Sequence, residues 1–346
     1  MISILATLAV MVSAACTSGG GEAVASPSPG YRVLATIKVG EGASTPAIGE
    51  GFVWVPNSND GTLSKINPKD NRVVATIPIG DTRVLLAAGC GDPNVHQYTP
   101  QSWAVRRCNL PSAVAVGAGS VWVTKNDTHS LLRLDPKDAH VIADMPLGID
   151  EFDLAVGPES VWVTDYENFA LARVDIATNR LVSVSRDIGH GPTSVLAIGA
   201  SVWVVLSRED AVVRLDARTE RVVAKIPVPV PDTAHLGGRP LPIVAIGDSL
   251  WVRNEYYSSV ARIDIGHDHL VSSVDVGAFT GRDGMDHMAV VGSSLWLSGI
   301  QLQRIDPSSN QVVQKLPYTG ISLTYGEGSL WVVDIFGTVS RLSVPA

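Results

Sequence analysis

A single short phrase recurs along this chain and contains seven of its eight tryptophans. The phrase is a glycine, a short polar turn and then Val-Trp-Val or a near copy. Successive tryptophans are 68, 40, 41, 48, 45 and 35 residues apart, so a unit of about 40 residues repeats seven times with one long insertion. A period of this length is typical of propeller blades. The seven residues are Trp54, Trp122, Trp162, Trp203, Trp251, Trp296 and Trp331.

Each unit contains four short segments that are rich in β-branched residues and bounded by Gly, Pro, Asn or Asp. Residues 131–136 show the third segment, and residues 72–80 and 221–228 are two copies of the fourth. Such runs predict strands joined by tight turns, and no long window outside the N-terminus has a helical period. Four strands cannot bury both faces of a blade alone, but blades stacked around an axis can. The predicted fold class is all-β, a seven-bladed β-propeller of four-stranded antiparallel blades.

The last repeat lacks its fourth strand, because the chain stops at Ala346 soon after the third segment. A matching segment stands at the other end of the chain, where residues 32–40 agree with residues 72–80 at six of nine positions. A strand at residues 31–40 is therefore predicted to complete the last blade and close the ring, which removes an open sheet edge. The predicted propeller spans residues 31–346, with an insertion at residues 81–110.

Two features repeat in nearly every unit and are interpreted as scaffold. The tryptophan on the second strand is a large apolar group placed to fill the space between neighbouring blades. An Arg-x-Asp element on the third strand, such as Arg133 and Asp135, puts a charged pair on one face, and an Asp before a turn accepts backbone N–H groups. Repetition in every blade predicts a structural turn rather than catalysis.

The first 15 residues are an apolar run of secretory length, too short to span a membrane, and are predicted to be a signal peptide. Ala14-Ala15-Cys16, followed by a Ser/Gly-rich stretch, resembles a bacterial lipoprotein signal, which implies lipidation of Cys16. Residues 16–30 then form a flexible tether. The predicted location is extracytoplasmic, with a lipid anchor in the cell membrane, and plain secretion is the alternative.

Two further cysteines, Cys90 and Cys108, lie in the insertion. In an exported protein they are predicted to form a disulfide, with a metal site near His96 as the weaker alternative. The net charge is −8 and no basic cluster is present, so nucleic acid and anionic membrane surfaces are not expected as partners. The expected partner is an extracellular ligand or protein, and the membrane is contacted only through the anchor.

A propeller binds ligands mainly on the face that carries two sets of loops, those leading into the innermost strands and those joining strands two and three. Loop residues that differ between blades are the better functional candidates, because scaffold residues obey the repeat. His190 and His287 stand at the start of innermost strands and can act as a general base or help to bind Mg²⁺ or Ca²⁺. The predicted ligand-binding residues are Asp150, Glu151, Asp153, Asp165, Tyr166, Arg208, Arg239, Arg253, Glu255, Asp283, Asp286 and Tyr318.

Acidic residues accompany both histidines in the sequence. Those grouped with His190 are Glu151 and Asp153, and those grouped with His287 are Asp283 and Asp286. The chain contains no HExxH, Cys-x-x-Cys, Gly-x-Ser-x-Gly or phosphate-cradling motif, so an enzyme is the less favoured class.

The phrases at residues 52–57 and 120–124, with the later Asp135-Pro136, resemble the YVTN/YncE-like β-propeller repeat and the related repeats of streptogramin B (virginiamycin B) lyases. The resemblance covers nearly the whole mature chain but rests on scaffold residues, so it implies the fold more strongly than the activity. Those lyases open a cyclic ester by elimination, using a histidine base and a bound Mg²⁺ beside the channel. The resemblance makes His287 the first candidate for the base and His190 the second, with Glu151 or Asp283 as ion ligands.

Three hypotheses for function remain after these observations. The favoured one is a lipid-anchored binding module that holds a protein, glycan or small ligand through loops on one face of the ring. The predicted anchor, the tether and the absence of a catalytic motif support it. The alternative is a Mg²⁺-dependent lyase of the streptogramin type, acting at the mouth of the central channel. The third is a purely structural role in envelope assembly.

Overall fold

The computed structural model of the protein describes residues 30–81, 111–228, 240–254, 258–277, 287–334 and 337–345. The predicted signal peptide, Cys16 and most of the tether lie outside the described residues. So does the insertion from residue 82 to residue 110, with Cys90 and Cys108. The anchor, the tether and the disulfide therefore stay predictions.

The described residues form 28 strands in seven four-stranded antiparallel sheets, and they include no helix long and apolar enough to cross a membrane. The strands up to the middle of the chain are β1 (Arg32–Lys38), β2 (Ala47–Gly49), β3 (Phe52–Asn57), β4 (Thr62–Asn67), β5 (Arg72–Pro78), β6 (Val114–Gly117), β7 (Ser120–Lys125), β8 (Ser130–Leu134), β9 (Val141–Pro146), β10 (Leu154–Val156), β11 (Ser160–Asp165), β12 (Ala170–Asp175) and β13 (Arg180–Ser185). The remaining strands are β14 (Pro192–Ile198), β15 (Ser201–Leu206), β16 (Ala211–Asp216), β17 (Val222–Pro227), β18 (Pro240–Ile246), β19 (Ser249–Asn254), β20 (Ser259–Asp264), β21 (His269–Asp275), β22 (Met288–Val291), β23 (Ser294–Leu297), β24 (Leu302–Asp306), β25 (Gln311–Leu316), β26 (Ser322–Gly326), β27 (Ser329–Val333) and β28 (Thr338–Ser343).

Each sheet is one blade, and six of the seven are consecutive in sequence. Blades 1 to 6 are β2–β5, β6–β9, β10–β13, β14–β17, β18–β21 and β22–β25. Blade 7 has the order β1-β28-β27-β26, with Arg32 opposite Ser343 and Lys38 opposite Thr338. The predicted propeller is confirmed, and so is its closure by an N-terminal strand that pairs with the end of the chain.

The first strands of successive blades contact one another all the way round the ring, from β2 through β26 and back to β2. They therefore surround the central axis. A Cβ on Gly49 would lie 2.5 Å from a methyl carbon of Val116 in the next blade, so glycine permits this close approach. We call the face with the loops between blades and between strands two and three the upper face, and the opposite face the lower face.

Each repeated tryptophan packs against the following blade. All seven are at most 2% exposed. Trp122 of blade 2 lies in an apolar cluster with Val161 of blade 3, and Trp331 of blade 7 lies in one with Val53 of blade 1. The other five form equivalent clusters. The interpretation of these residues as fillers between blades is confirmed.

In most blades an arginine on the third strand joins the tryptophan to the next blade. In blade 2 the guanidinium carbon of Arg133 lies 4.9 Å from the ring centroid of Trp122, and its Nε donates to Ser120 Oγ at 2.8 Å. Its Nη1 donates to the carbonyl of Ile176 and to Asn179 Oδ1 in blade 3, both at 2.8 Å. We call this tryptophan, arginine and receiving turn the blade latch.

The latch recurs around the ring with small variations. Arg173, Arg214, Arg262 and Arg341 stack on their own tryptophans and bond the outer turn of the next blade. In blade 1 a buried lysine takes this place, and Lys65 Nζ donates to the carbonyls of Pro136 and Lys137. The cation and the indole are therefore the common elements, and the guanidinium is not essential.

The acidic residue two positions after the arginine shapes the turn that the latch grips. Asp306 Oδ1 accepts the N–H of Ser308 at 2.9 Å, and Asn310, with φ 55°, is left-handed in the same turn. Asp175 and Asn179, with φ 55°, repeat this arrangement in blade 3. Asn tolerates this conformation better than most residues. The Arg-x-Asp element is thus a structural turn, as predicted.

One junction lacks the latch. Arg304 of blade 6 donates from Nε to Ser294 Oγ at 3.0 Å and makes no other hydrogen bond to the described residues. The physical reason is the ring closure, because β1 and β28 are opposite ends of the chain and no turn joins them. Blade 7 therefore offers Arg304 no outer turn to grip.

Because one junction lacks the latch, replacing the third-strand arginine by methionine should destabilise the protein to different extents in different blades. Arg262→Met removes two bonds to blade 6, which run from Nη1 to the Pro307 carbonyl at 2.7 Å and to Asn310 at 2.9 Å, and should lower the free energy of unfolding by about 2–3 kcal/mol. Arg304→Met is the matched control and should cost about 1 kcal/mol. Urea unfolding measures both, and equal losses would contradict the latch.

Candidate functional site

The two faces of the ring differ in how their polar residues repeat. On the lower face a serine opens the second strand in most blades and accepts the arginine Nε, as Ser120 and Ser160 do. On the upper face the buried polar residues vary more between blades, although Thr124 and Thr164 occupy equivalent positions, as do Asn57 and Asn254. These buried residues are Asn57, Ser58, Thr124, Glu151, Thr164, Asp165, Thr193, Ser207, Arg253, Asn254, Ser298 and Ser322. The upper face is therefore where this chain departs most from its own repeat.

His287 joins two blades that are not neighbours. It stands immediately before β22 of blade 6, and its Nε2 lies 2.8 Å from Thr45 Oγ1, just before β2 of blade 1. Blade 7 lies between these blades in the ring, so the hydrogen bond bypasses it at the mouth of the channel. The backbone N–H of His287 donates to Ser298 Oγ at 2.7 Å. The imidazole is thus held at the mouth of the channel.

His190 lies on the upper face between blades 3 and 4. The acidic residue beside it differs from those predicted. Its Nδ1 is 2.7 Å from Glu209 Oε1, and its backbone N–H donates to the same oxygen at 2.6 Å. Lys225 pairs with the other Glu209 oxygen. The acid in contact with His190 is therefore Glu209, rather than the Glu151 or Asp153 that sequence proximity indicated.

Aromatic rings surround an arginine beside His190. The guanidinium carbon of Arg208 lies 4.6 Å from the ring centroid of Tyr166 and 4.8 Å from that of Phe169. Arg208 Nε donates to the Tyr166 hydroxyl at 3.2 Å, and the Phe169 ring meets His190 edge-on at 4.9 Å. We call His190, Tyr166, Phe169 and Arg208 the aromatic cluster. The side chains of His190 and Arg208 are 64% and 42% exposed, whereas Tyr166 is buried, so a ligand can reach the cluster through His190 and Arg208.

Glu151 is the most unusual ionisable residue on this face. Its side chain is 0% exposed, and neither carboxyl oxygen has a hydrogen-bond partner among the described residues. Burial raises the pKa of Glu151 to about 9, and the negative charges of Asp150, Asp165 and Asp127 act in the same direction. Without a bound cation, the carboxyl group is therefore protonated at neutral pH.

The structure gives several other predicted site residues a role in holding loops or strands. Asp153 Oδ2 accepts the N–H of Val195 in the next blade at 3.2 Å. Asp165 accepts the backbone N–H groups of Asp150 and Asn168 at 3.0 and 2.9 Å, and so ties two upper loops together.

Two more of these residues make contacts between or beside blades. Arg253 Nη1 donates to the carbonyl of Ser298 in blade 6 at 3.0 Å. Tyr318 packs edge-on against Tyr31 at 5.4 Å. Four predicted site residues lie outside the described residues, namely Arg239, Glu255, Asp283 and Asp286.

Three residues of this face were missed by the sequence analysis, namely Thr45, His129 and Phe169. The sequence carried a signal for His129 and Phe169, because each replaces a glycine found at the same position of other repeats. His129 and Phe169 have φ values of 51° and 56° at the position where blades 1 and 7 carry Gly61 and Gly337. A bulky residue in this conformation is strained, and such strain concentrates at functional sites. Thr45 had no signal, because its contact with His287 joins residues 242 positions apart.

Among the described residues, one group of three His, Cys, Asp or Glu side chains has suitable spacing for a metal ion, and it lies on the lower face. Asp135, Asp138 and His140 place one ligand atom each within 4.8 Å of the others. Asp138 and His140 are exposed, and their contact at 2.6 Å lies within a repeated outer turn. On the upper face, an open depression of about 530 Å³ is lined by the end of β5 and by Lys125, Asp127 and Thr128.

No protein-family model and no curated protein matches the sequence. Solved structures match the fold. A streptogramin B lyase has a TM-score of 0.68 and 16% identity over 91% of this chain and 98% of its own. Virginiamycin B lyase from Staphylococcus aureus has a TM-score of 0.69 and 14% identity over 91% of this chain and 100% of its own. A catalytically inactive histidine-to-alanine variant of that enzyme with quinupristin has a TM-score of 0.67, 14% identity and the same coverage.

At these identities the likeness establishes the fold alone. The predicted resemblance to the streptogramin B lyase propellers is confirmed at that level. The finer relation to the YVTN/YncE-like repeat stays a prediction.

The raised pKa of Glu151 predicts that stability falls with rising pH in the presence of a chelator. Between about pH 4.5 and about pH 9 the folded chain keeps a proton that the unfolded chain has released. The contribution is complete below pH 4.5 and is lost as the pH rises to about 9. One such proton corresponds to a slope of about 1.4 kcal/mol per pH unit.

Urea unfolding of the wild type, Glu151→Gln and Glu159→Gln at several pH values in this window tests the prediction. Glutamine cannot ionise, so Glu151→Gln should flatten the pH dependence. Glu159 is exposed at the lower end of the same blade, so its variant should behave as the wild type. A Glu151→Gln profile as steep as that of the wild type would contradict the assigned cause.

Proposed function

We propose that this chain is an extracytoplasmic binding protein, tethered to the cell membrane through lipid on Cys16, that takes its ligand on the upper face of the propeller. The observation that carries the proposal is the contrast between the two faces. The latch and its serines repeat in most blades on the lower face, whereas most of the polar loop residues of the upper face, such as Glu151, Tyr166 and Arg208, occur in one blade only. The repeated residues are explained by the scaffold, because every blade needs them to pack. The residues that do not repeat are explained by a ligand that binds on this face.

The aromatic cluster is the part of this face best suited to a ligand. The half-buried Phe169 ring and the Arg208 guanidinium stacked on it supply a planar surface, and Arg208, which pairs with Glu167 at 3.4 Å, supplies N–H donors. Glu209 fixes His190 at the edge of the cluster. Aromatic rings with a few directed polar groups are the usual composition of a small-molecule site. The expected ligand has a flat or apolar face and a carbonyl or negatively charged group, as a peptide or an acidic glycan does.

The proposed location rests on the sequence. The apolar segment of residues 1–15, Cys16 and the Ser/Gly/Pro-rich tether would leave the propeller outside the cytoplasm. A tether of this composition lets the upper face turn towards a partner, because Gly/Ser-rich chains are flexible.

The affinity of a ligand that binds at the aromatic cluster should depend on Arg208 and not on Arg218, which lies in the same blade. A panel of acidic oligosaccharides and short peptides is screened by the rise in melting temperature of the full chain. Each ligand found should bind Arg208→Ala at least about tenfold more weakly, since hydrogen bonds to a charged group contribute about 1.5–3 kcal/mol. Arg218→Ala on the exposed lower turn is the control and should bind as the wild type. Ligands that bind Arg208→Ala with full affinity would locate the site elsewhere.

A second candidate is a lyase of the streptogramin type, and the position of His287 favours it. Its imidazole stands at the channel mouth with Nε2 against Thr45, in a fold like that of enzymes named as streptogramin B and virginiamycin B lyases. His287 would take the proton that is removed during elimination, and Thr45 would orient the ring. Glu151 is the one predicted ion ligand among the described residues, and the imidazole within 4.0 Å of its carboxyl is that of His129 rather than that of the candidate base His287.

Incubation of the full chain and Mg²⁺ with quinupristin tests this candidate. Elimination opens a cyclic ester to a linear isomer of unchanged mass, whereas hydrolysis adds a water, so chromatography with mass spectrometry separates the two. If the chain is a lyase, His287→Ala should abolish isomer formation and His190→Ala should retain it. No isomer from the wild type, or equal turnover by a variant lacking both imidazoles, would remove the lyase hypothesis.

A further inference from the structure

Both carboxyl oxygens of Glu151 are buried, and neither has a hydrogen-bond partner among the described residues. The backbone at this residue is nevertheless held firmly. Its carbonyl accepts Asn126 Nδ2 at 2.8 Å and Ser112 Oγ at 3.2 Å. A polar group buried without a partner costs folding free energy, so the position of this carboxyl calls for a ligand.

Two neighbouring residues also present buried oxygens without donors. Asn126 Nδ2 bonds the Glu151 carbonyl, which leaves Asn126 Oδ1 buried and unpartnered. Asp127 Oδ2 accepts the backbone N–H of Asp81 at 3.1 Å, and Asp127 Oδ1 is likewise buried without a donor. The two residues lie in the loop between β7 and β8 of blade 2, and Glu151 lies in the loop that leads into blade 3. The Asn126 amide thus lies against Glu151, and Asp127 is close enough for its charge to act on the Glu151 carboxyl.

The charge around these oxygens is negative. Asp127, Asp150 and Asp165 all act on Glu151. The described basic group beside them is His129, whose Nδ1 is 3.3 Å from Asp150 Oδ1 and 4.0 Å from Glu151 Oε2. Lys125, at the end of β7, forms an ion pair with Asp144, with 3.8 Å between Nζ and Oδ2. No fixed cation among the described residues contacts the Glu151 carboxylate.

We propose that a hard divalent cation, Ca²⁺ or Mg²⁺, binds at the junction of blades 2 and 3, with Glu151, Asp127 and Asn126 as ligands. Carboxylate and amide oxygens are the donors that these ions prefer. The site goes beyond the proposed binding function, because it does not involve the aromatic cluster, and it differs from the lyase hypothesis, which paired Glu151 with a histidine base, in taking its other ligands from the β7–β8 loop. A cation there would supply the charge that the acidic loops lack and would join the upper edges of two blades.

The two ions are distinguished by the ligand set that each requires. Ca²⁺ takes about 6–8 oxygens in a flexible arrangement, whereas Mg²⁺ demands about octahedral geometry and keeps several waters. Tight binding of Ca²⁺ over Mg²⁺ would show that the loop oxygens replace most of the water around the ion. The reverse preference would show a site in which water supplies most of the ligands.

The experiment uses the full chain after dialysis against EDTA and then into metal-free buffer. Calorimetric titration with CaCl₂ and with MgCl₂ should show one ion per chain for at least one of them, and the same ion should raise the melting temperature. Glu151→Gln should weaken binding at least about tenfold, because it removes a charged ligand. Glu159→Gln removes an equal charge from the lower end of the same blade and should bind as the wild type.

A second variant guards against misfolding of the first. Asp127→Asn keeps the shape of the side chain and removes its charge, so it should also weaken binding at least about tenfold while leaving the circular dichroism spectrum unchanged. Absence of Ca²⁺ and Mg²⁺ binding at about 1 mM, the range of weak extracellular modules, would overturn the proposal. So would equal affinity in the wild type and in both variants. The two sites are tested separately. If Arg208→Ala loses ligand binding but still binds the ion with wild-type affinity, the cation site is independent of the ligand site, as proposed.

Discussion

The contact between an indole and the next blade is the interaction on which the rest of this structure depends. A four-stranded sheet of alternating residues has two apolar faces, and water can be excluded from both only if another sheet covers each. The buried tryptophans fill the space between blades, and a cation over the indole reaches the turn beyond. Blades 1 to 5 and blade 7 apply this device, so every blade except blade 7 is held by the latch of the blade before it.

Because the repeated latch lies on the lower side of the blades, the upper loops join neighbouring blades only through contacts that differ between junctions, such as Asp153 with Val195 and Arg253 with Ser298. They are correspondingly varied. The position that is glycine in two blades is His129 in blade 2 and Phe169 in blade 3, both with positive φ. Their conformational strain is tolerated because the sheets beneath are fixed independently. The upper face therefore accommodates a buried carboxyl at Glu151 and a histidine that reaches across blade 7.

Periodicity predicted the fold because the same physical requirement recurs in every blade. The tryptophan, the Arg-x-Asp turn and the missing fourth strand all follow from one repeat, and the pairing of β1 with β28 confirms the last of these. The candidate site was predicted less well. His190 pairs with Glu209, and Asp153 and Asp165 hold strands and loops in place. Such partners come from different blades, and no period relates them.

The amino-acid sequence by itself determined the number of blades, the filler between them and the closure of the ring. These features are local and repeated, so each copy strengthens the inference from the others. Only the tertiary structure decided which upper loops meet. The contact of His287 with Thr45 and the burial of Glu151 beside Asn126 depend on the curvature of the ring, which places side chains from distant segments within hydrogen-bond distance. That curvature is a property of seven packed blades together, and no single repeat contains it.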